Sequence, residues 1–335
     1  MSREIGSEYH RIPFGSGSGI VLPVPGSLVF SGRAAIETVL KEIPDAKKAC
    51  LPSYCCDSII EPFRNAGIET EFYPVFYQDG LKIETEIPED VDIFLWCNYF
   101  GFRTEFPDMT DFINRGGVII EDITHSFLSD HAYHTQSRYL IASLRKWEPV
   151  NCAGYCASTA GALSYEPTES PPEAFLEQKA AAMQLKTEYL NDLDETKKPT
   201  YLQMFGESNH WLRTNYSGLT IDQWSRDYLA HVNVEEEKKI RIRNAKILYE
   251  GLKEKVTFLF PEEEMDCPLF VPILLENRDK IRSYLIENSI YCPVHWEKPA
   301  GSDSNIYRHE LSLICDQRYG IADMERIVSA LSDIL

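Results

Sequence analysis

Over the first ~200 residues, short β-like apolar runs alternate with longer helical stripes, the pattern of a parallel sheet covered by helices. The β runs are Lys48 to Leu51, Ile68 to Tyr73, Asp92 to Cys97, Gly117 to Asp122, Tyr139 to Ala142 and Gly154 to Ser158. Several are almost continuously apolar, as strands buried on both faces are. Between them, Ile36, Val39, Leu40 and Ile43 fall at i, i+3, i+4 and i+7, a helical stripe that opens just after Ser31-Gly32. Ile59, Ile60 and Phe63 make a second stripe, ended by Gly67 at a C-cap position, and Phe112 and Ile113 precede a stop at Gly116-Gly117.

The pattern changes after Pro167. A charged helix is expected from Pro172 to about Asp194, and one long helix from about Thr220 to Leu252. An α+β pattern follows: Phe270 to Leu274 as strand, Arg278 to Asn288 as helix, Leu311 to Cys315 as strand and Ala322 to Leu335 as helix. The expected fold is α/β: a three-layer αβα large domain with a mostly parallel sheet, then a smaller α+β C-terminal domain. The boundaries expected are 1–230, with an N-terminal arm, and 231–335.

Composition narrows the function. The 335 residues are 44% hydrophobic and 25% charged, ordinary for a chain with a full core, and no apolar run approaches the ~18 residues of a membrane span. The polar start, Met1 to Gly6, lacks the apolar core of a secretory signal, so the cytoplasm is the expected location. A net charge of −19 disfavours nucleic acid and anionic membrane as partners, while leaving room for a phosphate held locally by backbone N–H groups. Nine cysteines, an odd number with no Cys-x-x-Cys pair, read as free thiols rather than disulfides or a metal site. His131 and His134 have no partner at ligand spacing, so no metal is expected.

Three places carry chemistry. Ser31-Gly32-Arg33 opens a helix, where free N–H groups and the positive end of the dipole suit a phosphate, although Ser-Gly is also an ordinary N-cap. Asp122 ends the clearest strand, at the sheet edge where ligands of parallel α/β folds bind, although an Asp there is also an ordinary turn cap. Three residues on, His125 is within reach of Asp122. Ser143-Leu144-Arg145-Lys146 follows the next buried strand, which delivers a lysine to the same edge. Such a lysine can form an imine with an aldehyde cofactor and then move protons, and Ser143 is spaced to offer a hydroxyl to the cofactor's phosphate. His295, beside Trp296, is either a substrate contact or a structural histidine.

A helix-opening Ser-Gly, a strand-ending Asp and a Ser-x-x-Lys, in this order, resemble fold-type I aminotransferases dependent on pyridoxal 5'-phosphate (PLP), and within them the DegT-like, nucleotide-sugar aminotransferase family. The likeness runs from about residue 28 to 335. Ser31 to Ala35 resembles the family's Ser-Gly-Thr-Ala-Ala turn, Pro52-Ser53-Tyr54 its Pro-Ser/Thr-aromatic segment, Asn98 to Gly101 its His-Leu-Tyr-Gly, and Glu121 to His125 its Glu-Asp-Ala-Ala-Gln. Thr214-Asn215-Tyr216, Tyr291 to His295 and Leu311 to Leu313 resemble its later signatures.

The resemblance implies a Schiff base between Lys146 and PLP, with Asp122 on the pyridine nitrogen, where it keeps the ring an electron sink. It implies Tyr54 stacked on the ring, with Asn98 and His125 about it, His125 also within reach of the ring's phenolic oxygen. Ser31, Gly32 and Ser143 would hold the phosphate, joined by Asn215 of a second subunit, so a homodimer with shared sites is implied. The reaction implied is transfer of an amino group from an amino-acid donor, glutamate in the family, to a keto acceptor such as a keto-sugar.

The chain also departs from the family. Arg33 replaces a small hydroxyl residue and is open to two uses, binding the phosphate or facing a substrate acid. Asn151-Cys152-Ala153-Gly154 replaces Gly-Glu-Gly-Gly, and Ser217 replaces an Arg. The alternatives are a PLP-binding regulatory homologue without turnover, or another PLP reaction such as sugar dehydration. Lys146 opposes the latter, because the related dehydratases carry His there. A nucleotide-binding oxidoreductase lacks its Gly-x-Gly-x-x-Gly turn.

Overall fold

A computed structural model describes residues 3–335. Seven strands form its central sheet: β1 (Ser27–Val29), β2 (Lys48–Pro52), β3 (Glu69–Tyr73), β4 (Ile93–Cys97), β5 (Val118–Asp122), β6 (Tyr139–Ser143) and β7 (Gly154–Ser158). Their order is β1-β7-β6-β5-β4-β2-β3. Only the contacts of β7 with β1 and β6 are antiparallel; the others are parallel. The fold is thus α/β with a mostly parallel sheet. Its middle strands are apolar on both faces because helices cover them: β4 is buried at all five positions.

Helix α1 (Gly32–Leu40) packs on β6, β7 and α2 (Asp57–Asn65), and α3 (Thr110–Asn114) packs on β5. Two long helices, α4 (Glu173–Asp192) and α5 (Lys197–Thr214), pair with each other around their own small core of Ala182, Met183, Tyr189, Tyr201 and Phe205. The helical stretch expected from Thr220 to Leu252 is two helices, α6 (Gln223–Leu229) and α7 (Val234–Leu252). Asn233 breaks it, its side chain accepting the Glu236 N–H as an N-cap. Helix α5 buries a stripe of Tyr201, Phe205 and Leu212, but Pro199 and Gly206 obscure it in the sequence. Pro199 lies in the first turn, where its missing N–H costs nothing.

The last ~80 residues build a three-stranded antiparallel sheet of β8 (Thr257–Phe258), β9 (Val271–Leu274) and β10 (Glu310–Leu313), with α8 (Arg278–Glu287), α9 (Ile306–His309) and α10 (Ile321–Ile334) beside it. Phe76 and Tyr77 lie in one arm of a small hairpin, Val75–Tyr77 with Leu81–Ile83. Near the start of the chain, Ile5 and Gly6 pair in parallel with Ile290 and Tyr291. Among the described residues no helix is long and apolar enough to cross a membrane.

Candidate active site

At the carboxyl edge of the sheet, Cys97 of β4 pairs with Asp122 of β5, which pairs with Ile141 of β6. These three side chains, laterally adjacent on one face, floor a cavity of about 500 Å³. Side chains alternate across a strand, so Trp96 and Glu121 point the other way. The cavity is thus a product of register: a slip of one residue would put Glu121 in it and Asp122 behind the sheet.

Asp122 is buried, and its Oδ1 accepts the Thr124 N–H at 2.8 Å. Burial raises its pKa, against the pull of Thr124 and the Lys146 charge. Thr124 ties two strand ends together: its Oγ1 accepts the Ser143 N–H at 3.0 Å, and its carbonyl accepts the Trp147 indole N–H at 2.6 Å. Trp147 is held on its other side as well. Its carbonyl accepts from the Tyr9 hydroxyl (2.8 Å) and the Gln317 amide (2.9 Å), and the Arg241 guanidinium lies 4.6 Å from its ring.

Lys146 ends the single 3₁₀ turn Leu144–Lys146 between these anchors. Its side chain is open to the cavity, yet the site is deep in the molecule. Desolvation therefore lowers its pKa, aided by Arg145 and opposed by Cys56, Glu8 and Asp122.

A second wall is the N-terminus of α1. Ser31 caps it, accepting the Ala34 N–H at 3.3 Å, and a Cβ on Gly32 would stand 3.2 Å from the Ser143 Cβ. Gly154 makes this junction possible, because a Cβ there would fall 2.2 Å from the Ser31 carbonyl oxygen. Ser31, Gly32, Arg33 and Ser143 all line the cavity. Of the two uses open to Arg33, the structure displays a third partner: its Nε lies 2.6 Å from Glu61 Oε2 on α2.

His125 also lines the cavity. Its Nδ1 accepts the Phe100 N–H at 3.1 Å, so the bond considered with Asp122 is not made there and the ring proton belongs on Nε2. Burial, with the charges of His295 and Lys146, depresses its pKa well below the usual imidazole range.

Three expected residues lie elsewhere. Tyr54 is fully buried: its hydroxyl donates to the His295 carbonyl and its ring packs on Tyr99, Trp296 and Tyr307. It is Cys56, two residues on, that reaches the cavity. Asn98 is turned behind the sheet, donating to Glu121 Oε1 and Ser126 Oγ at 2.8 Å each and accepting from Trp96. It bonds the buried carboxyl group of Glu121 there. Asn215 is exposed at the C-terminus of α5, its amide donating to the Trp211 carbonyl, outside the cavity of its own chain.

Other groups in the cavity were not expected from the sequence. Arg145 faces it with a buried Nε that has no partner. Burial lowers its pKa; Glu8 opposes this, while Arg33 and Arg213 add to it, placing three guanidinium groups in mutual repulsion. Glu8, from the N-terminal arm, accepts from Asn209 at 2.9 Å. Burial alone would raise its carboxyl, but Lys179, Asn209, Arg145 and Lys186 hold it low. The adjacency of Arg145 to Lys146 is a sequence signal for the former; Glu8 has none. Trp296 and Glu297 close the far side. All nine cysteines are free thiols, and among the described residues no three His, Cys, Asp or Glu are grouped to hold a metal.

No protein-family model and no curated protein matches the chain. Solved structures do. A DegT DnrJ EryC1 StrS aminotransferase from Brucella abortus is similar over 92% of this chain and 85% of its own, with a TM-score of 0.62 at 16% identity. Helicobacter pylori PseC, an aminotransferase involved in the biosynthesis of pseudoaminic acid, is similar over 91% and 85%, with a TM-score of 0.62 at 12% identity. Spr1654 from Streptococcus pneumoniae, in its PLP-form, is similar over 97% and 100%, with a TM-score of 0.60 at 11% identity. At such identities the shared property is the backbone architecture: the chain has the fold of the DegT-like aminotransferases.

Proposed function

We propose that this protein is a PLP-dependent aminotransferase that moves an amino group from an amino acid, glutamate being the first donor to try, to a keto acceptor of the keto-sugar class. The observation that carries the reading is the convergence of Lys146 and Asp122, from the ends of two adjacent parallel strands, on one cavity whose wall is the N-terminus of α1. The residues present fit the cofactor. Gly32, Ser31 and Ser143 form a cradle kept open by two glycines, with an unpartnered guanidinium nitrogen on Arg145 close by. Asp122 is a buried carboxylate in need of a cationic partner.

When bound, PLP supplies an electron sink at the amino-acid carbon. Lys146 Nζ would attach the cofactor and, once released, carry the proton; its lowered pKa leaves more of the neutral amine at neutral pH. Asp122 would hold the ring nitrogen, and a cation there would pull its raised pKa back down. Ser31, Gly32 and Ser143 would hold the phosphate. Asn215, exposed and away from its own cavity, would serve the site of a second copy in a homodimer. The fold shared with PseC supports a sugar acceptor, and the PLP-form of Spr1654 supports the cofactor.

The test is spectroscopic and chemical. Adding PLP should give a visible absorbance band that glutamate bleaches, and in a separate sample without glutamate borohydride should fix the cofactor's mass to the peptide carrying Lys146. The variant Lys146→Ala should show neither. A wild type with no band, or a label on another lysine, overturns the reading.

A further inference from the structure

Behind the cavity wall lies a chain of three buried polar side chains that the reading above does not use. Glu310 and Ser312 are alternate residues of β10 and so share one face. Ser312 Oγ is 2.5 Å from Glu310 Oε1 and 2.7 Å from His295 Nδ1, and Glu310 Oε2 accepts the His295 backbone N–H at 2.6 Å. Glu310 and Ser312 are fully buried and His295 is 3% exposed. The His295 ring then leads back to the site. It packs against Trp296 and His125, with centroids at 5.3 and 5.8 Å, and both of those line the Lys146 cavity. Phe100 and Phe270 enclose it on its remaining sides.

A hydroxyl between a carboxyl and an imidazole has two proton arrangements with the same heavy-atom positions. In one it accepts from the carboxylic acid and donates to Nδ1; in the other it accepts from Nδ1–H and donates to the carboxylate. We propose that Glu310, Ser312 and His295 are a proton relay, storing one proton on Glu310 and delivering it through His295 Nε2 to the Lys146 side of the wall. The balance is simple. A base in the cavity takes the Nε2 proton, Nδ1 takes the Ser312 proton, and Ser312 takes the Glu310 proton. One proton leaves Glu310, which ends as a carboxylate, and the reverse sequence refills it.

The surroundings favour the filled state at neutral pH. Burial raises the Glu310 carboxyl to about 8 against the pull of Ser312, the His295 N–H and Arg278. Burial and the Lys146 charge hold His295 neutral, its pKa well below the usual range. Of the other groups around this pair, Arg278 draws the Glu310 carboxyl down without reversing the effect of burial. Arg278, on α8, donates to the Glu310 backbone carbonyl at 3.1 Å, the Tyr54 hydroxyl donates to the His295 carbonyl, and His309 turns to the Leu275 carbonyl and Glu276.

The relay belongs to the chain alone; its use in amino transfer rests on the function proposed above. It can be tested without cofactor. In protein with ¹⁵N-labelled histidine, the His295 ring nitrogens should shift in a single step near pH 8, where Glu310 ionises. The step should vanish in Glu310→Gln, and in Ser312→Ala it should disappear from His295 although Glu310 remains. A wild type with no step near that pH overturns the relay, as does a step that survives both substitutions, and the wild-type result suffices if a variant fails to fold. In the loaded protein, Ser312→Ala should lower kcat by about 10²-fold at neutral pH, the lower end of general acid–base contributions, and remove the pH-profile limb near 8 with KM unchanged. Failure of the borohydride label on Lys146 would sink the aminotransferase reading and leave the relay. A missing histidine step would do the reverse.

Discussion

Glu121 and Asp122 are consecutive residues of one strand, and they face opposite sides of the sheet, one closing a buried polar cluster and the other flooring the Lys146 cavity. Asp122 is a carboxylate kept where ionisation is unfavourable, which is costly to the ligand-free protein and useful only when a cation arrives. Asp122→Asn should therefore leave the ligand-free protein at least as stable as wild type in thermal unfolding. With PLP it should lose on the order of 10²-fold in turnover, as loss of a preorganised charge partner does. A less stable ligand-free variant would contradict this account.

Glu121 gives a pH prediction of its own. Burial raises its carboxyl to about 7, against bonds from the His134 N–H, Ser137 and Asn98, so the protonated form is the one that the fold favours. That contribution is complete below the unfolded value near 4.5 and is lost as pH rises through about 7. Its size is on the order of 3 kcal/mol. Denaturant titrations should find wild-type stability falling across this window and Glu121→Gln much flatter.

Arg145 brings an unpartnered buried nitrogen toward the phosphate cradle, beside two other guanidinium groups. An anion relieves their mutual repulsion. Arg145→Met, which keeps the length of the side chain and removes its charge, should weaken PLP binding by roughly tenfold or more, the equivalent of one charged hydrogen bond of about 1.5–3 kcal/mol. Inorganic phosphate should protect the wild type against heat and protect the variant less. Equal protection would remove Arg145 from the anion site.

Gly154→Ala tests the junction between β7 and α1. The added methyl would meet the Ser31 carbonyl at 2.2 Å, and backbone, unlike a flexible side chain, cannot give way cheaply. A stability loss of about 1–3 kcal/mol or more is expected, together with weaker PLP binding because the cap at Ser31 moves. Loss of stability with unaltered cofactor affinity would show that the cap is dispensable.

Most of the sheet was legible because its strands are apolar without interruption and separated by turn residues, and the edge to which Asp122 and Lys146 belong followed from strand ends. What was not legible depended on side-chain direction. Tyr54 and Cys56 lie beyond the end of β2, where no strand alternation dictates facing; the aromatic residue took the core and the thiol the cavity. Asn98 continues the facing of Trp96, behind the sheet, so its proximity to the site in sequence misled. Glu8 was invisible for a different reason: an extended arm carries no periodicity, and its place is set by long-range contacts. Tyr54→Phe should accordingly cost about 1–3 kcal/mol, by leaving the His295 carbonyl without its donor, and leave PLP affinity unchanged. A change in PLP affinity would return Tyr54 to the site.

The pairing of Ile5 and Gly6 with Ile290 and Tyr291, the contribution of Glu8 to the cavity and the two-sided hold of Tyr9 and Gln317 on Trp147 also govern when the site can exist. Ribosomes deliver the chain in order, and segments fold as their partners emerge. Residues 5–9 leave the exit tunnel long before their partners at 290, 291 and 317. Until those partners emerge, then, the lysine turn has its sheet but not its clamp, and a nascent chain stalled before residue 290 carries Lys146 on an unfinished seat.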